Sequence, residues 1–358
     1  MIPISVGIFL FLGGLMSKIK VCVLFGGQSG EYEVSLNSAY SVLSAIDKEK
    51  YIVYKIGITR NGQWYLFDGE NELILNDSWL ENGKNVPICV DFSKKAFICD
   101  GLELYPNVIF PLLHGDFGED GRAQSLFEMM GVPFVGCGSR ASAVCMDKAL
   151  CKTIAIKEFV PVAPFITVNR REFQDDEYDL SLDWSAFVKP NDKGSSIGIS
   201  RAKTNQELRV ALANALAHSS VAIVEQEIKG AECEVAILQV GNEIIVSEVG
   251  QISYKGDFYD YQTKYHSRSV KYKIPAKIGA ECRDLCKKYA KKMFLALGCR
   301  GLCRVDFFVT KSGEIFFNEV NTIPGFTKGS MYPMLLEKQG YDLPRLIDAL
   351  IDEAIRNF

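Results

Sequence analysis

Two neighbouring segments decide how this chain folds: Arg304-Val305-Asp306-Phe307-Phe308-Val309 and Ile315-Phe316-Phe317-Asn318-Glu319-Val320-Asn321. Both are rich in β-branched and aromatic residues, and a turn-forming run separates them, so they predict a β-hairpin. Alternate residues of a strand share a face. If Thr310 pairs with Ile315, Asp306 lies opposite Glu319 and Arg304 lies opposite Asn321. The hairpin then gathers two carboxylates, an amide and a guanidinium on one face.

This acidic face suggests a metal site. Two carboxylates on a buried sheet repel each other unless a cation lies between them. Carboxylate and amide oxygens without His or thiolate suit Mg²⁺ or Mn²⁺, and Mg²⁺ usually keeps coordination positions for phosphate oxygens. Asp306, Glu319 and Asn321 are therefore candidate ligands of a metal–nucleotide site. The alternative is a structural ion-pair cluster of Arg304 with Asp306 and Glu319.

Composition limits the class of protein. A chain of 358 residues predicts two or three domains, and 48% apolar residues suffice for their cores. The net charge is −4 and no basic tract occurs, so neither nucleic acid nor an anionic membrane is an expected partner. The 11 cysteines are scattered through apolar runs, which indicates reduced thiols of a cytoplasmic protein. The pairs Cys282 with Cys286 and Cys299 with Cys303 lack a histidine cluster, so buried thiols are preferred to a zinc site.

The first 15 residues are apolar but lack the positive segment of a signal peptide. They are also short for a membrane span. We interpret residues 1–16 as an extension that does not conform to the rest of the chain, either an upstream start or a disordered segment, with a membrane anchor as the alternative.

The chain then opens with the unit of an open α/β sheet: a strand at Lys20–Phe25, a glycine turn at 26–31 and a helix at Tyr32–Ile46. A later strand, Asn107–Leu113, ends in a glycine-rich loop that contains His114, and ligands of open α/β sheets bind at such ends. Residues 251–273 have no clean period and predict a lid. Further expected elements are a strand at Pro133–Val135 and helices at Ala123–Met130, Ser139–Ile156, Glu207–Ala217, Ala280–Leu297 and Leu343–Arg356.

A second glycine-rich segment, Gly194-Ser195-Ser196-Ile197-Gly198, follows Lys189. Small residues allow backbone N–H groups to approach phosphate oxygens, so we predict a phosphate-binding loop, with a plain hairpin turn as the alternative. Phosphates, a divalent metal and a lid together indicate phosphoryl transfer or acyl-phosphate chemistry.

These motifs resemble those of the D-alanine–D-alanine ligases, ATP-grasp enzymes of peptidoglycan precursor synthesis. The resemblance extends from about residue 17 to the C-terminus. It rests on the following runs: Glu33-Val34-Ser35-Leu36, Leu113-His114-Gly115 with Gly118-Glu119-Asp120-Gly121, Met146-Asp147-Lys148, Lys189-Pro190 with Gly194-Ser195-Ser196, Phe258-Tyr259-Asp260-Tyr261 with Lys264-Tyr265, and Asn318-Glu319-Val320-Asn321-Thr322 with Pro324-Gly325-Phe326-Thr327.

The resemblance implies three domains of α/β and α+β class. A Rossmann-like substrate domain would span residues 17–137, and the two ATP-grasp subdomains would span 138–232 and 233–358. The family's reaction activates one D-alanine as an acyl phosphate, which the amino group of a second D-alanine attacks through a tetrahedral intermediate. The substrates would thus be D-alanine and ATP, with two Mg²⁺ or Mn²⁺ ions, in a cytoplasmic protein that is a homodimer as in most of the family.

The resemblance also implies roles for individual residues. Glu33 would hold the ammonium of the first D-alanine with the help of His114, while Ser195 and Tyr265 would connect to Glu33 and close the lid. Arg304 would stabilise the oxyanion. The remaining roles fall into three groups: the nucleotide site, Lys148, Lys189, Ser195, Ser196, Glu225, Glu227, Ile228, Glu232 and Lys264; the metal ligands, Asp306, Glu319 and Asn321; and the carboxylate pocket of the second D-alanine, Gly325, Ser330 and Met331.

Two departures from the family pattern leave alternatives open. Glu227 occupies a place in the adenine segment where an aromatic residue is common, so stacking on adenine is not expected there. The segment 56–65 also resembles D-alanine–D-serine ligases. Those enzymes and the D-lactate ligases tend to carry Arg where Met331 stands, and the lactate enzymes lack the Lys264–Tyr265 type of lid, so D-alanine is favoured as the second substrate. A D-alanine–D-serine ligase and a non-catalytic nucleotide-binding regulator are the alternatives.

Overall fold

The computed structural model describes residues 18–175, 182–253, 271–327 and 329–358. The apolar residues 1–15, Lys264 and Tyr265 lie outside these ranges. Within them the chain forms three larger sheets and one small one, and the helices pack on the sheets.

The first sheet has the order β4-β3-β2-β1-β8, and its inner strand β1 is parallel to both neighbours. The opening strand–turn–helix unit and the Rossmann-like parallel core are confirmed. The strands are β1 Ile19–Gly26, β2 Tyr51–Ile58, β3 Trp64–Asp68, β4 Lys84–Pro87 and β8 Val108–Pro111; the small sheet contains β5 Cys89–Asp91, β6 Ala96–Cys99 and β7 Leu102–Leu104; and the helices are α1 Tyr32–Ala45, α2 Asn71–Leu75, α3 Trp79–Asn82 and α4 Arg122–Met130.

Two expectations for the following segment are wrong. Residues 133–135 form no strand but a single bridge between Phe134 and Ile109. The single helix expected at Ser139–Ile156 is two helices, α5 Ser139–Met146 and α6 Lys148–Lys157. The break lies at Asp147, which has an extended backbone (ψ 99°) and whose side chain accepts a hydrogen bond from Leu150 N at 2.9 Å. Asp is a favoured N-cap because its side chain satisfies an N–H group that has no helical partner.

The second sheet is antiparallel, with the order β11-β10-β12-β9. Its helix α8 buries an apolar stripe, Leu208, Leu212 and Ala215 among others, against the sheet. The elements are β9 Phe165–Asn169, α7 Arg170–Gln174, β10 Ala186–Pro190, β11 Ser200–Ala202, α8 Asn205–His218 and β12 Val221–Gln226.

The third sheet is also antiparallel, with the order β15-β14-β13-β16-β17. The helix expected at Leu343–Arg356 is confirmed, but the short helix before it was not expected, since it starts within a Pro- and Gly-rich run. The elements are β13 Gly230–Val240, β14 Glu243–Ser253, β15 Lys271–Lys273, α9 Ala280–Ala296, β16 Leu302–Thr310, β17 Ile315–Asn321, α10 Met331–Glu337 and α11 Leu343–Arg356.

Two features of this architecture lie close to the expected domain boundaries, which remain a prediction. The division between residues 232 and 233 falls inside β13, and Ala141, Cys145 and Cys151 of α5 and α6 join the core of the third sheet rather than that of the second. The two ends of the segment expected as a lid, Gln251–Ser253 and Lys271–Lys273, are paired strands. The lid therefore remains a prediction for residues 254–270, which lie outside the described ranges.

The cysteines and helices bear on the other expectations. All 11 cysteines are free thiols, and nine of them are buried. Within the described ranges, no group of three or more His, Cys, Asp or Glu side chains is placed to hold a metal ion. No helix of the described residues is long and apolar enough to cross a bilayer.

Candidate active site

A cavity of about 430 Å³ is lined by residues of the second and third sheets, of α6 and of the glycine-rich loop. It brings together eleven of the residues that the sequence singled out: Lys148, Lys189, Ser195, Ser196, Glu225, Glu227, Ile228, Glu232, Arg304, Asp306 and Glu319. Its walls carry both lysines and carboxylates, as a site for a polyanion with a cation would require.

The hairpin of β16 and β17 places the acidic face as expected, by a register that differs from the expected one. Asp306 pairs with Glu319 and Arg304 with Asn321, but Val309, not Thr310, pairs with Ile315. A bulge at Asn318 takes up the difference of one residue. Phe317 and Val320 both belong to the core, and only an extra residue between them allows this change of face. The bulge therefore turns Glu319 out of the core and into the cavity.

Arg304 forms a buried ion cluster on this face. Its Nε and Nη2 donate to the two carboxylate oxygens of Asp306 at 2.8 and 2.7 Å, and its Nε lies 3.3 Å from Glu234 Oε1. Burial would lower the pKa of Arg304, but Asp306 and Glu234 raise it well above the ordinary value. The Arg304–Asp306 part of the ion-pair alternative is thus present. Glu234, on β13 opposite Asp306, is a member that the sequence analysis missed.

The oxygens of the expected metal ligands suit a hard cation by their chemistry, since all are carboxylate or amide groups. Asp306 and Glu319 are directly opposed and line the cavity. Asn321 does not line it, and its Oδ1 accepts a hydrogen bond from Ile323 N at 3.1 Å. The two carboxylates fit a magnesium-type ion, and Asn321 is the ligand that this geometry supports least.

Five lysines of the described residues line the cavity: Lys148 and Lys189 were expected, whereas Lys152, Lys193 and Lys229 were not. Lys148 Nζ donates to Lys193 O at 2.6 Å and lies 3.7 Å from Glu319 Oε2. Lys189 Nζ lies 2.6 Å from Glu225 Oε2, and Lys152 Nζ lies 2.7 Å from Glu225 Oε1. Sequence spacing could have indicated Lys152, because it follows Lys148 by four residues and therefore shares a helix face with it.

Glu225 is held by these lysines. Its burial would raise its pKa, but the charges of Lys152 and Lys189 lower the pKa to about 2. Because both carboxylate oxygens are committed to lysines, the expected contact of Glu225 with adenine would have to come from its backbone. Glu227 is likewise committed, since its Oε2 accepts from Arg201 Nη2 at 2.6 Å.

The glycine-rich loop contacts the first sheet through a different glutamate from the one expected. Ser195 and Ser196 have φ values of 50° and 59°, a left-handed conformation that is costly for serine, and the Ser195 hydroxyl donates to Glu31 Oε1. The expected bond from Ser195 to Glu33 is wrong. Glu31 directly precedes α1 and is buried, whereas Glu33 lies in the first turn, where its side chain is 61% exposed and 3.9 Å from Arg60.

His114 and the C-terminal loop meet at helix α1. His114 is buried, its Nε2 lies 2.9 Å from Ser38 Oγ, and Phe326 N donates to the same hydroxyl at 3.4 Å. Next to this contact are Gly325 and Ser330, whose Oγ accepts from Thr327 N at 3.2 Å. Met331 is buried in the core rather than in the 430 Å³ cavity. The first and third sheets therefore share a boundary beside His114.

Solved structures share this architecture. A D-alanine–D-alanine ligase from Coxiella burnetii has a TM-score of 0.81 and 33% identity, with coverage of 95% of this chain and 96% of that one. The VanG D-Ala:D-Ser ligase from Enterococcus faecalis has a TM-score of 0.85 and 41% identity, with coverage of 94% and 99%. The fold is thus that of the ATP-grasp ligases.

Sequence profiles define the family more narrowly. The profiles described as D-ala D-ala ligase N-terminus and C-terminus match residues 20–137 and 154–352. A curated D-alanine–D-alanine ligase of Caldicellulosiruptor bescii is 42% identical over 352 residues, with coverage of 95% of this chain and 96% of its own length. The vancomycin C-type resistance protein VanC1 of Enterococcus gallinarum is 39% identical, with coverage of 93% and 97%. The chain belongs to the D-alanine–D-alanine ligase family.

Proposed function

We propose that this protein joins two D-alanine molecules to D-alanyl-D-alanine with cleavage of ATP to ADP and phosphate, as a step of peptidoglycan precursor synthesis. The observation that carries the proposal is the shared cavity, in which opposed carboxylates, a buried arginine and lysines face one another. A carboxylate is a poor electrophile. Transfer of the γ-phosphoryl group to it creates a leaving group, and attack by the second amino group then expels phosphate.

The positively charged residues of the cavity stabilise different negative groups of this reaction. Lys148 and Lys189 neutralise phosphate oxygens, and the N–H groups of the loop at Ser195 and Ser196 approach them. Lys264 would add a third charge from outside the described ranges. Arg304 donates to the oxyanion of the tetrahedral species, and loss of such a donor typically raises the barrier by roughly 3–4 kcal/mol.

The amino-acid subsites lie at the edge of the first sheet. Glu31, in place of Glu33, is the buried carboxylate that accepts from Ser195, and we assign it the ammonium of the first D-alanine. His114 supports this subsite through Ser38. Gly325 and Ser330 would receive the carboxylate of the second D-alanine near the same helix, with Met331 behind them, and Tyr265 would close over the site.

Recognition of adenine would use the backbone of residues 225–228, with Glu232 at the ribose. A magnesium-type ion would be held by Asp306 and Glu319, with Asn321 as a further ligand for one of the family's two ions, Mg²⁺ or Mn²⁺. When bound, such ions offset charge on the triphosphate. A cytoplasmic location and a homodimer are further expectations from the family, which fractionation and analytical ultracentrifugation can test.

A D-alanine–D-serine ligase is the second candidate, because the VanG enzyme is similar to this chain over almost its whole length. Incubation with ATP, Mg²⁺ and D-alanine, with and without D-serine, distinguishes the two by product mass. Only D-alanyl-D-alanine is expected when both amino acids are present at equal concentration. A predominant D-alanyl-D-serine product would favour the second candidate, and ATP binding without ADP release under any D-amino acid would indicate a regulator.

The Glu319→Ala variant tests whether the hairpin carries this chemistry. It is expected to release no phosphate above background while its circular dichroism matches that of the wild type. Glu314→Ala, at the exposed turn of the same hairpin, is the matched control and is expected to retain full activity. Near-normal turnover by Glu319→Ala would remove the hairpin from the mechanism.

A further inference from the structure

One charged side chain of the cavity has no role in the proposed chemistry. Lys152 lies on α6, one turn after Lys148, and is 1% exposed. Its Nζ lies 2.7 Å from Glu225 Oε1 and donates to Phe317 O at 3.3 Å. A lysine is almost never buried to this extent unless it is paired, so its position requires an explanation.

The net charge of Lys152, Glu225 and Lys189 together explains the position of Lys152. Glu225 forms ion pairs with two lysines at once: Lys152 Nζ lies 2.7 Å from one carboxylate oxygen and Lys189 Nζ lies 2.6 Å from the other. The three side chains carry a net charge of +1. If Lys152 were neutral, Glu225 would cancel the charge of Lys189, and the pair would present no net positive charge to a phosphate.

The geometry of Lys189 makes this balance relevant to nucleotide binding. Its side chain is 12% exposed, its Nζ also donates to Asn318 Oδ1 at 3.4 Å, and it lines the same cavity as Ser195 and Ser196. Glu225 thus lies between the two lysines in the cavity wall, where the side chain of Lys189 is 12% exposed and that of Lys152 is 2% exposed.

We propose that Lys152 is a positioning residue for ATP: it offsets the charge of Glu225, so that Glu225 orients Lys189 without cancelling the positive charge that the phosphates require. The proposal rests on the proposed ATP site but not on the identity of the amino-acid substrates. Burial acts against ionisation of Glu225, but the charges of Lys152 and Lys189 nevertheless lower its pKa to about 2, which agrees with a carboxylate that is ionised between them.

The test is the affinity for a non-hydrolysable ATP analogue with Mg²⁺, measured by calorimetry without any amino acid. Four proteins are compared with the wild type: Lys152→Met, Glu225→Gln, the double variant with both changes, and the control Lys157→Met. Lys157 ends the same helix and is exposed, so its variant matches the chemical change without touching the triad.

We expect Lys152→Met to bind the analogue at least roughly tenfold more weakly, because one partner of a buried charge group is removed. The double variant leaves Lys189 beside a neutral amide and is expected to recover most of this loss, while Lys157→Met binds as the wild type does. A packing role for Lys152 would give no recovery. Equal weakness of Lys152→Met and the double variant, or wild-type affinity of Lys152→Met, would overturn the proposal.

If Lys152→Met unfolds, the double variant still decides the test, because it also lacks the buried carboxylate of Glu225 that Lys152 would have neutralised. It is then expected to fold and to bind the analogue within about threefold of the wild type, and binding tenfold weaker would refute the charge balance. Absence of D-alanine-dependent ADP release from the wild type would count against the proposed function while leaving the binding comparison intact.

Discussion

At the scale of single residues, Glu31 is the side chain that connects the first sheet to the glycine-rich loop. It is buried at the start of α1 and accepts the hydroxyl of Ser195. A buried carboxylate suits an ammonium group, because a charged partner strengthens the hydrogen bond. Glu33, two residues along, is directed towards Arg60 at the surface.

This difference predicts opposite outcomes for two similar variants. Glu31→Ala is expected to raise the KM for D-alanine or lower kcat/KM by roughly 30-fold, equivalent to about 2 kcal/mol for a hydrogen bond to a charged group. Glu33→Ala is expected to change kcat/KM by less than about twofold. Steady-state ADP release at varied D-alanine measures both. Loss of activity in Glu33→Ala alone would return the role to Glu33.

The charge of Glu225 predicts a dependence of stability on pH. Its pKa is lowered from 4.5 to about 2 in the folded protein, so the unfolded chain binds its proton more readily. The stabilisation is therefore present above pH 4.5 and is lost as the pH falls through 2. Between pH 5 and pH 3 the loss should be about 2 kcal/mol.

Urea unfolding at these two pH values, followed by circular dichroism, measures this loss of unfolding free energy. Glu225→Gln has no proton to bind at this position and should lose about 2 kcal/mol less than the wild type over the same interval. Identical losses in the two proteins would show that Glu225 is not held by its lysines in the folded state.

The identities of the functional residues could be predicted better than their partners. Lys148, Lys189 and Arg304 stand in motifs that define a family, and all three line the cavity. The choice of Glu31 over Glu33 could not be made, since both acids stand in one run and only the start of α1 decides which is buried. The spacing of Lys152 from Lys148 indicates a shared helix face, but it does not indicate that Glu225, which is distant in the sequence, is the counter-charge of Lys152.

At the scale of elements, the β16–β17 hairpin shows how a correct site can follow from an incorrect register. Alternation in β17 was expected to continue from Ile315, but Phe317 and Val320 both pack in the core. The bulge at Asn318 reconciles the two and leaves Asp306 opposite Glu319. Bulges that redirect a side chain are common next to active sites, but their position depends on packing that the local sequence does not contain.

Helix α6 is the element that supplies both Lys148 and Lys152, and its start depends on Asp147. Asp147→Ala removes the hydrogen bond to Leu150 N and is expected to cost about 1 kcal/mol of unfolding free energy. Because Lys148 is the first residue of the helix, the KM for ATP should also rise several-fold. Urea unfolding and ATP titration of ADP release measure the two effects.

Thr204→Ala provides the matched control, since Thr204 caps α8 by accepting from Glu207 N at 3.2 Å and does not line the cavity. It is expected to cost a similar amount of stability with an unchanged KM for ATP. If both variants changed the KM equally, loss of stability rather than the position of Lys148 would explain the result.

At the scale of the whole molecule, the site exists only because loops from different sheets meet. The glycine-rich loop follows β10 of the second sheet, yet Ser195 bonds to Glu31, and Lys193 Nζ lies 2.7 Å from Asp116 Oδ1, both on loops of the first sheet. The presence of an open α/β unit and of a hairpin site could be predicted from the sequence. Contacts of this kind could not, because they join residues that are far apart in the chain and carry no local pattern.

The Asp116–Lys193 pair provides the last prediction, that charge across this junction holds the loop against the first sheet. The backbone carbonyl of Lys193 also accepts a hydrogen bond from Lys148 Nζ. Displacement of the loop would therefore disturb Lys148, which we propose binds phosphate. The pair is partly exposed, with side chains 31% and 23% accessible, and is worth about 0.5–1 kcal/mol. Asp116→Ala should therefore raise the KM values for ATP and D-alanine by roughly two- to fivefold, with a smaller difference at high salt because exposed charges are screened.

The exchange of both residues, Asp116→Lys with Lys193→Asp, should restore the wild-type values, whereas Glu103→Ala, which breaks the surface pair with Lys94, should leave them unchanged. If the exchanged pair is as impaired as Asp116→Ala, attraction between these charges does not hold the loop.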